Sequence, residues 1–209
     1  MSNLKSSETD TRHQPLPIGP LSVAHFVPEP AFSAILDDFV RRVYPVLPLI
    51  HVPSFTANLA RRAFEGDPVF FRLCVSLCAV TVASIPRNMH SYGDVPYKDV
   101  REMVDRASHL VLLSRITTTP EWQDQATVDS MVVSVLLAMA SHYAGKPNAG
   151  WAYASEAVHF FRELKLYREE SYTGLTAIES ELCKRSFWLL FIIRMLVLFS
   201  PVMKAICSL

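Results

Sequence analysis

The sequence lacks an excess of charge of either sign. Its 209 residues include 20 basic and 20 acidic side chains, so the formal net charge is zero. A protein that holds nucleic acid by itself usually carries a basic excess, because neutralised phosphates supply much of the binding free energy. The balance therefore predicts no direct nucleic acid binding. The Arg41-Arg42 and Arg61-Arg62 pairs are better explained as solvated helix surface.

Cysteine is scarce, and none occurs before Cys74. The spacing of Cys74 and Cys78 places them on one face of a helix. Two thiols do not complete a zinc site, which usually has four ligands. The opening stretch, MSNLKSSETDTRHQ, is polar and has no apolar core like that of a secretory signal. We therefore expect an intracellular chain with free thiols and without a metal or other cofactor.

Sequence motifs of the common enzyme classes are also missing. The chain contains no GxGxxG, GxxxxGK[ST], HExxH or GxSxG. Asp37-Asp38 begins an acidic pattern like that of a magnesium site, but Arg41 stands where a further carboxylate is needed. We predict that the chain is not an enzyme, and we assign no catalytic residue and no metal ligand.

Helical periodicity runs through most of the chain, and no stretch shows strand-like alternation or an Asn-Gly hairpin. We predict an all-α fold, an irregular bundle of about seven helices, over residues 29–209, after a flexible tail at residues 1–28. Asp67-Pro68 predicts a helix start, and the apolar run behind it predicts a central helix. Thr176 and Glu179 have the spacing of a capping box for the last helix.

The last predicted helix contains a long apolar stretch. From Phe187 to Phe199 every residue is apolar except Arg194. A membrane span needs about 20 mostly apolar residues. An arginine near its centre costs a few kcal/mol. We therefore predict a core helix rather than a membrane span, in a central position because it is apolar on all sides.

Histidine and aromatic side chains recur between residues 142 and 161. Aromatic residues at helical spacing are more typical of an ordinary core. They can also line a small-molecule pocket. The candidate effector pocket consists of His142, Trp151 and His159.

Three stretches carry a further pattern through their order and spacing. The first is FVRRVYPVLPLIHVPSF, with Pro45, Pro48, His51, Pro53 and Phe55. The second is VLLAMASHYAGKPNAGWAYASEAVHFFRELKLYREE, with Trp151, Tyr153, Ala157 and Leu164. The third is ELCKRSFWLLFII, with Lys184, Arg185, Phe187 and Trp188.

Together these stretches resemble the fungal-specific transcription factor domain, the middle homology region of fungal zinc-cluster transcription factors, from roughly Pro28 to Arg194. The resemblance implies an all-α regulatory domain of a nuclear, or nuclear and cytoplasmic, protein that modulates transcription by RNA polymerase II. Its motif residues are packing residues, and it shares no catalytic residues. The family's zinc ions bind a six-cysteine module that has no counterpart here, and the family domain continues further, so we expect a domain incomplete at its C-terminus.

We expect this domain to act through a full-length transcription factor or co-regulator, a small-molecule effector, or a second copy of itself, without contacting a membrane. Two alternatives remain open. One is an all-α small-molecule-binding protein or enzyme unrelated to transcription. The other is a gene fragment that does not fold alone and leaves the last helix partly uncovered, with a large exposed apolar patch.

Overall fold

The computed structural model describes residues 22–119 and 121–207, with side chains described up to residue 193. These residues form seven α-helices joined by turns, short 3-10 segments and a π-helical turn at Phe39–Val43, and this described part contains no β-strand. The predicted all-α class is confirmed. The helices are α1 (Glu29–Asp38), α2 (Val52–Ala60), α3 (Pro68–Ser84), α4 (Val100–Thr118), α5 (Val128–Tyr143), α6 (Pro147–Glu163) and α7 (Ala177–Cys207).

Helices α3 and α5 form the centre of the bundle. Helix α3 packs against α1, α4 and α5, and α5 also packs against α6 and α7. Both helices are apolar on nearly all sides, and most of their residues are buried. The Asp67 carboxylate caps α3 by accepting hydrogen bonds from the N–H groups of Val69 at 2.8 Å and Phe70 at 3.2 Å. The predicted start and central position of this helix are confirmed.

A buried polar cluster around Arg115 of α4 joins three helices. The guanidinium donates to the Glu156 carboxylate of α6 at 2.8 Å and to the Ser134 hydroxyl of α5 at 3.1 Å. It also lies over the indole of Trp122, 4.5 Å from the ring centroid. Because Arg115 is buried, these helices cannot shift against one another without leaving its charge uncompensated.

The predicted boundary between a flexible tail and the folded domain, at residue 28, lies too far along the chain. Residues 22–28 are ordered and begin with a 3-10 turn. Phe26 and Val27 are each only 1% exposed, and the Tyr97 hydroxyl donates a hydrogen bond to the Phe26 carbonyl. This proline-containing segment has no helical period, so the hydrophobic pattern alone does not reveal that it packs on the core. Residues 1–21 lie outside the described residues.

The prediction that α7 is a central helix is wrong. It packs against α5 and α6 at the surface of the bundle. Cys183, Ser186 and Leu190 lie on its buried face. Because α3 and α5 already fill the centre, the described chain covers one face of α7 between residues 177 and 193.

In the described ranges, no single helix is long and apolar enough to cross a membrane. Helix α3 and the 3-10 segment Pro86–Tyr92, bent by 119°, pass that test together by length and composition only. Most of α3 is buried inside the bundle, as expected of a core helix.

Candidate functional site

The end of the first motif forms the start of α2. His51 is at the N-cap of α2, and its Nδ1 lies 2.7 Å from the Ser54 hydroxyl. Phe55 is buried, with its ring centroid 5.6 Å from that of Phe70 on α3. This part of the motif therefore fixes α2 against the start of α3.

The prolines of the first motif shape the connection between α1 and α2. Pro45 lies in a turn, Pro48 in the irregular segment, and Pro53 in the first turn of α2. The carbonyl of Pro48 accepts a hydrogen bond from the guanidinium of Arg185 on α7 at 3.3 Å. The first and third motifs, 137 positions apart at these residues, are therefore in direct contact.

The second motif runs from the second half of α5 through α6, and its four named residues lie on and just beyond α6. Ala157 is fully buried, while Tyr153 and Leu164 are half-buried against the core. Gly150 brings α6 close to the end of α5, since a Cβ added there would lie 2.7 Å from the His142 ring. These residues of the second motif therefore pack α6 against the core and against the end of α5.

The three residues predicted to form an effector pocket do not share one site. His142 and Trp151 meet edge to face, with ring centroids 6.0 Å apart. His159 lies two turns further along α6, where its Nε2 is 3.2 Å from the Gln123 carbonyl oxygen. Desolvation lowers the pKa of His142, as expected for an imidazole packed between two helices.

The third motif forms an exposed apolar surface. Four neighbouring apolar side chains of α7 are between 42% and 60% exposed, and we call them the α7 ridge: Phe187, Trp188, Phe191 and Ile192. Phe161 of α6 extends this surface by stacking on Phe187 at a centroid distance of 5.4 Å. Lys184, the basic residue before the ridge, pairs with Glu181 at 3.5 Å.

A cleft of about 230 Å³ lies between the first turns of α2, α3, α5 and α7. Its inner wall includes Phe55 and Phe70, and polar residues at its rim include His51, Asp67 and Asp129. The cleft was not predicted from sequence. Its lining comes from four distant segments, and no local motif marks Asp129.

The cysteines of α3 are poor nucleophiles. Burial raises the pKa of both the Cys74 and the Cys78 thiol. On α7, burial followed by the Glu179 carboxylate raises the pKa of Cys183 to about 11. Within the described chain, no group of three or more His, Cys, Asp or Glu side chains is placed to hold a metal ion.

The sequence model of the family described as the fungal specific transcription factor domain matches residues 36–197. This match covers well over half of the 209 residues. The chain belongs to this family. No curated protein and no solved structure shows a significant match. The matched part of the fungal specific transcription factor domain contains all three motifs, the cleft and the α7 ridge, and the predicted resemblance is confirmed.

Proposed function

We propose that this chain is a regulatory domain that modulates transcription by RNA polymerase II in the nucleus by contacting a protein partner. The partner is a full-length transcription factor or a co-regulator. The family assignment supports a role in transcription. The zero net charge supports protein contacts rather than direct DNA contact.

The α7 ridge carries this proposal. Aromatic side chains are enriched in the energetically dominant centres of protein interfaces. Each aromatic side chain buries roughly 150–250 Å² when it is covered. Phe187, Trp188 and Phe191 are about half exposed, so together they offer roughly 300 Å² of contact surface. Ile192 and Phe161 add to it, and a patch of this size on a monomer is often functional.

Two isoleucine substitutions test the role of the ridge. Ile192 on the ridge is 47% exposed and Ile116 on α4 is 54% exposed, so Ile116→Ser is a matched control for Ile192→Ser. The assay is co-purification of the tagged chain from fungal nuclear extract, with the bound proteins identified by mass spectrometry. We expect wild type and Ile116→Ser to recover a transcription factor or co-regulator, and Ile192→Ser to lose it.

Recovery of no transcription-related protein, or equal recovery by both variants, would contradict the proposal. A second copy of this chain is an alternative partner. If two copies pair through the ridge, light scattering should show a dimer for wild type and a monomer for Ile192→Ser.

A small-molecule effector is a second candidate route of regulation. The cleft favours it, because it combines an apolar wall with a few polar groups at its rim. Comparing reporter expression between wild type and variants of the cleft rim tests whether effector binding is coupled to transcription.

A further inference from the structure

The chemistry of the cleft favours one class of small ligand. The cleft is about 230 Å³ in volume, below the range of about 300–1,000 Å³ that is typical of sites for drug-sized ligands. Its inner wall includes the buried aromatic pair Phe55 and Phe70. A single aromatic ring therefore suits the volume and the wall.

The rim of the cleft carries two carboxylates with free acceptor capacity. Asp129 has no hydrogen-bond or ion-pair partner among the described residues. Asp67 uses Oδ1 to cap α3, which leaves its second oxygen for another donor. His51 is the other titratable residue in the lining, and its Nδ1 is 2.7 Å from the Ser54 hydroxyl.

The ionisable side chains that line the rim are mainly acidic. Desolvation by the surrounding helices, followed by the Asp67 and Glu179 carboxylates, raises the pKa of Asp129, although the residue remains exposed to solvent. Arg72 acts on Asp129 in the opposite direction, but its guanidinium donates to the Thr118 hydroxyl at 3.0 Å and does not line the cleft. A bound cation would therefore relieve repulsion between carboxylates, whereas a bound anion would add to it.

We propose that this cleft binds a small amphipathic cation, with its aromatic or aliphatic body on the Phe55–Phe70 wall and its ammonium group at Asp67 and Asp129. The ammonium donates hydrogen bonds to the two carboxylates, and the wall excludes water from the apolar body. This ligand class specifies the proposed effector, so its biological meaning rests on the proposed function. The binding of a cation to the cleft can be measured independently of that function.

Isothermal titration calorimetry on the full chain tests the proposal with three probes that share a phenyl ring. Phenethylamine is cationic, phenethyl alcohol is neutral and phenylacetate is anionic. We expect phenethylamine to bind about two- to five-fold more tightly than the alcohol, because both carboxylates are exposed and contacts between exposed charges are weak. Phenylacetate should bind more weakly than either, and added salt should weaken the amine selectively.

Three charge-neutralising variants locate the site. Asp129→Asn removes one rim charge, and Asp67→Asn removes the other while asparagine preserves the helix cap. Asp124→Asn is the matched control, because this exposed aspartate does not line the cleft. We expect each rim variant to lose most of the preference for amine over alcohol and the control to keep it. Circular dichroism confirms that each variant is folded.

Equal affinity for amine and alcohol, an undiminished preference in both rim variants, or no binding of any probe up to the millimolar range would overturn the proposal. These outcomes are separable from those of the partner proposal. Selective amine binding with no transcription-related partner would leave the cleft assignment standing and refute the proposed function. Partner recovery without amine binding would do the reverse.

Discussion

Replacement of Arg115 by methionine tests the buried ion pair that joins α4 to α6. Methionine keeps an unbranched apolar stem but removes the hydrogen bonds to Glu156 and Ser134 and the cation over Trp122. Removing one partner of a buried pair costs about 3–5 kcal/mol, because the other charge is left uncompensated. The Glu156 side chain is 21% exposed, so water solvates it in part. We therefore expect a loss of about 3 kcal/mol, at the lower end of that range.

Urea unfolding followed by circular dichroism measures this loss. Glu156→Gln retains an acceptor for Arg115, and we expect it to cost about 1–2 kcal/mol. The double variant Arg115→Met/Glu156→Leu removes both charges of this pair and should recover most of the stability lost in Arg115→Met. The reasoning is refuted by a loss below about 1 kcal/mol for Arg115→Met, the level of an exposed pair. A double variant no more stable than the single one would refute it as well.

Three further predictions concern α6, α5 and the start of α7. Gly150→Ala places a methyl group 2.7 Å from the His142 ring, and we expect it to cost about 1–3 kcal/mol in the urea assay. Gly174→Ala meets nothing within 4 Å and should cost less than about 1 kcal/mol, so equal losses would contradict this prediction. The pKa of His142 is lowered below its ordinary value of 6.5. Its contribution to stability is therefore present above pH 6.5 and lost as the pH falls through the folded pKa. Thermal unfolding against pH should show this loss in wild type, and an identical profile for His142→Gln would argue against it. Thr176→Ala removes the capping box with Glu179 and should cost about 1 kcal/mol. Thr176→Ser should retain that stability, and an unaffected alanine variant would rule out the cap as a contributor.

The sequence predicted the helix starts at which a capping side chain bonds to a backbone group only a few residues away. Asp67-Pro68 starts α3 with the expected cap. In the capping box before α7, the Thr176 N–H donates to Glu179 at 2.8 Å and the Glu179 N–H donates to the Thr176 hydroxyl at 3.2 Å. Both features connect residues at most three positions apart, so the sequence contains all of the interacting groups.

The features that sequence reasoning missed connect distant segments. Phe26 is buried because Tyr97 and the core reach it, and no pattern near Phe26 records that contact. Asp129 looks like an ordinary residue in the first turn of a helix. It becomes part of the cleft only because α2, α3 and α7 begin beside it.

The sequence by itself determined the all-α class, the central position of α3 and the family to which the chain belongs. Helical periodicity, caps and motif spacing are properties of neighbouring residues or of their order, so they can be recognised in the sequence alone. Only the tertiary structure decided that α7, up to residue 193, is covered on one face and exposes the α7 ridge on the other. The apolar run from Phe187 suits a central or a peripheral helix equally well. Burial depends on the surface that remains free after distant helices have packed, and α3 and α5 had already filled the centre.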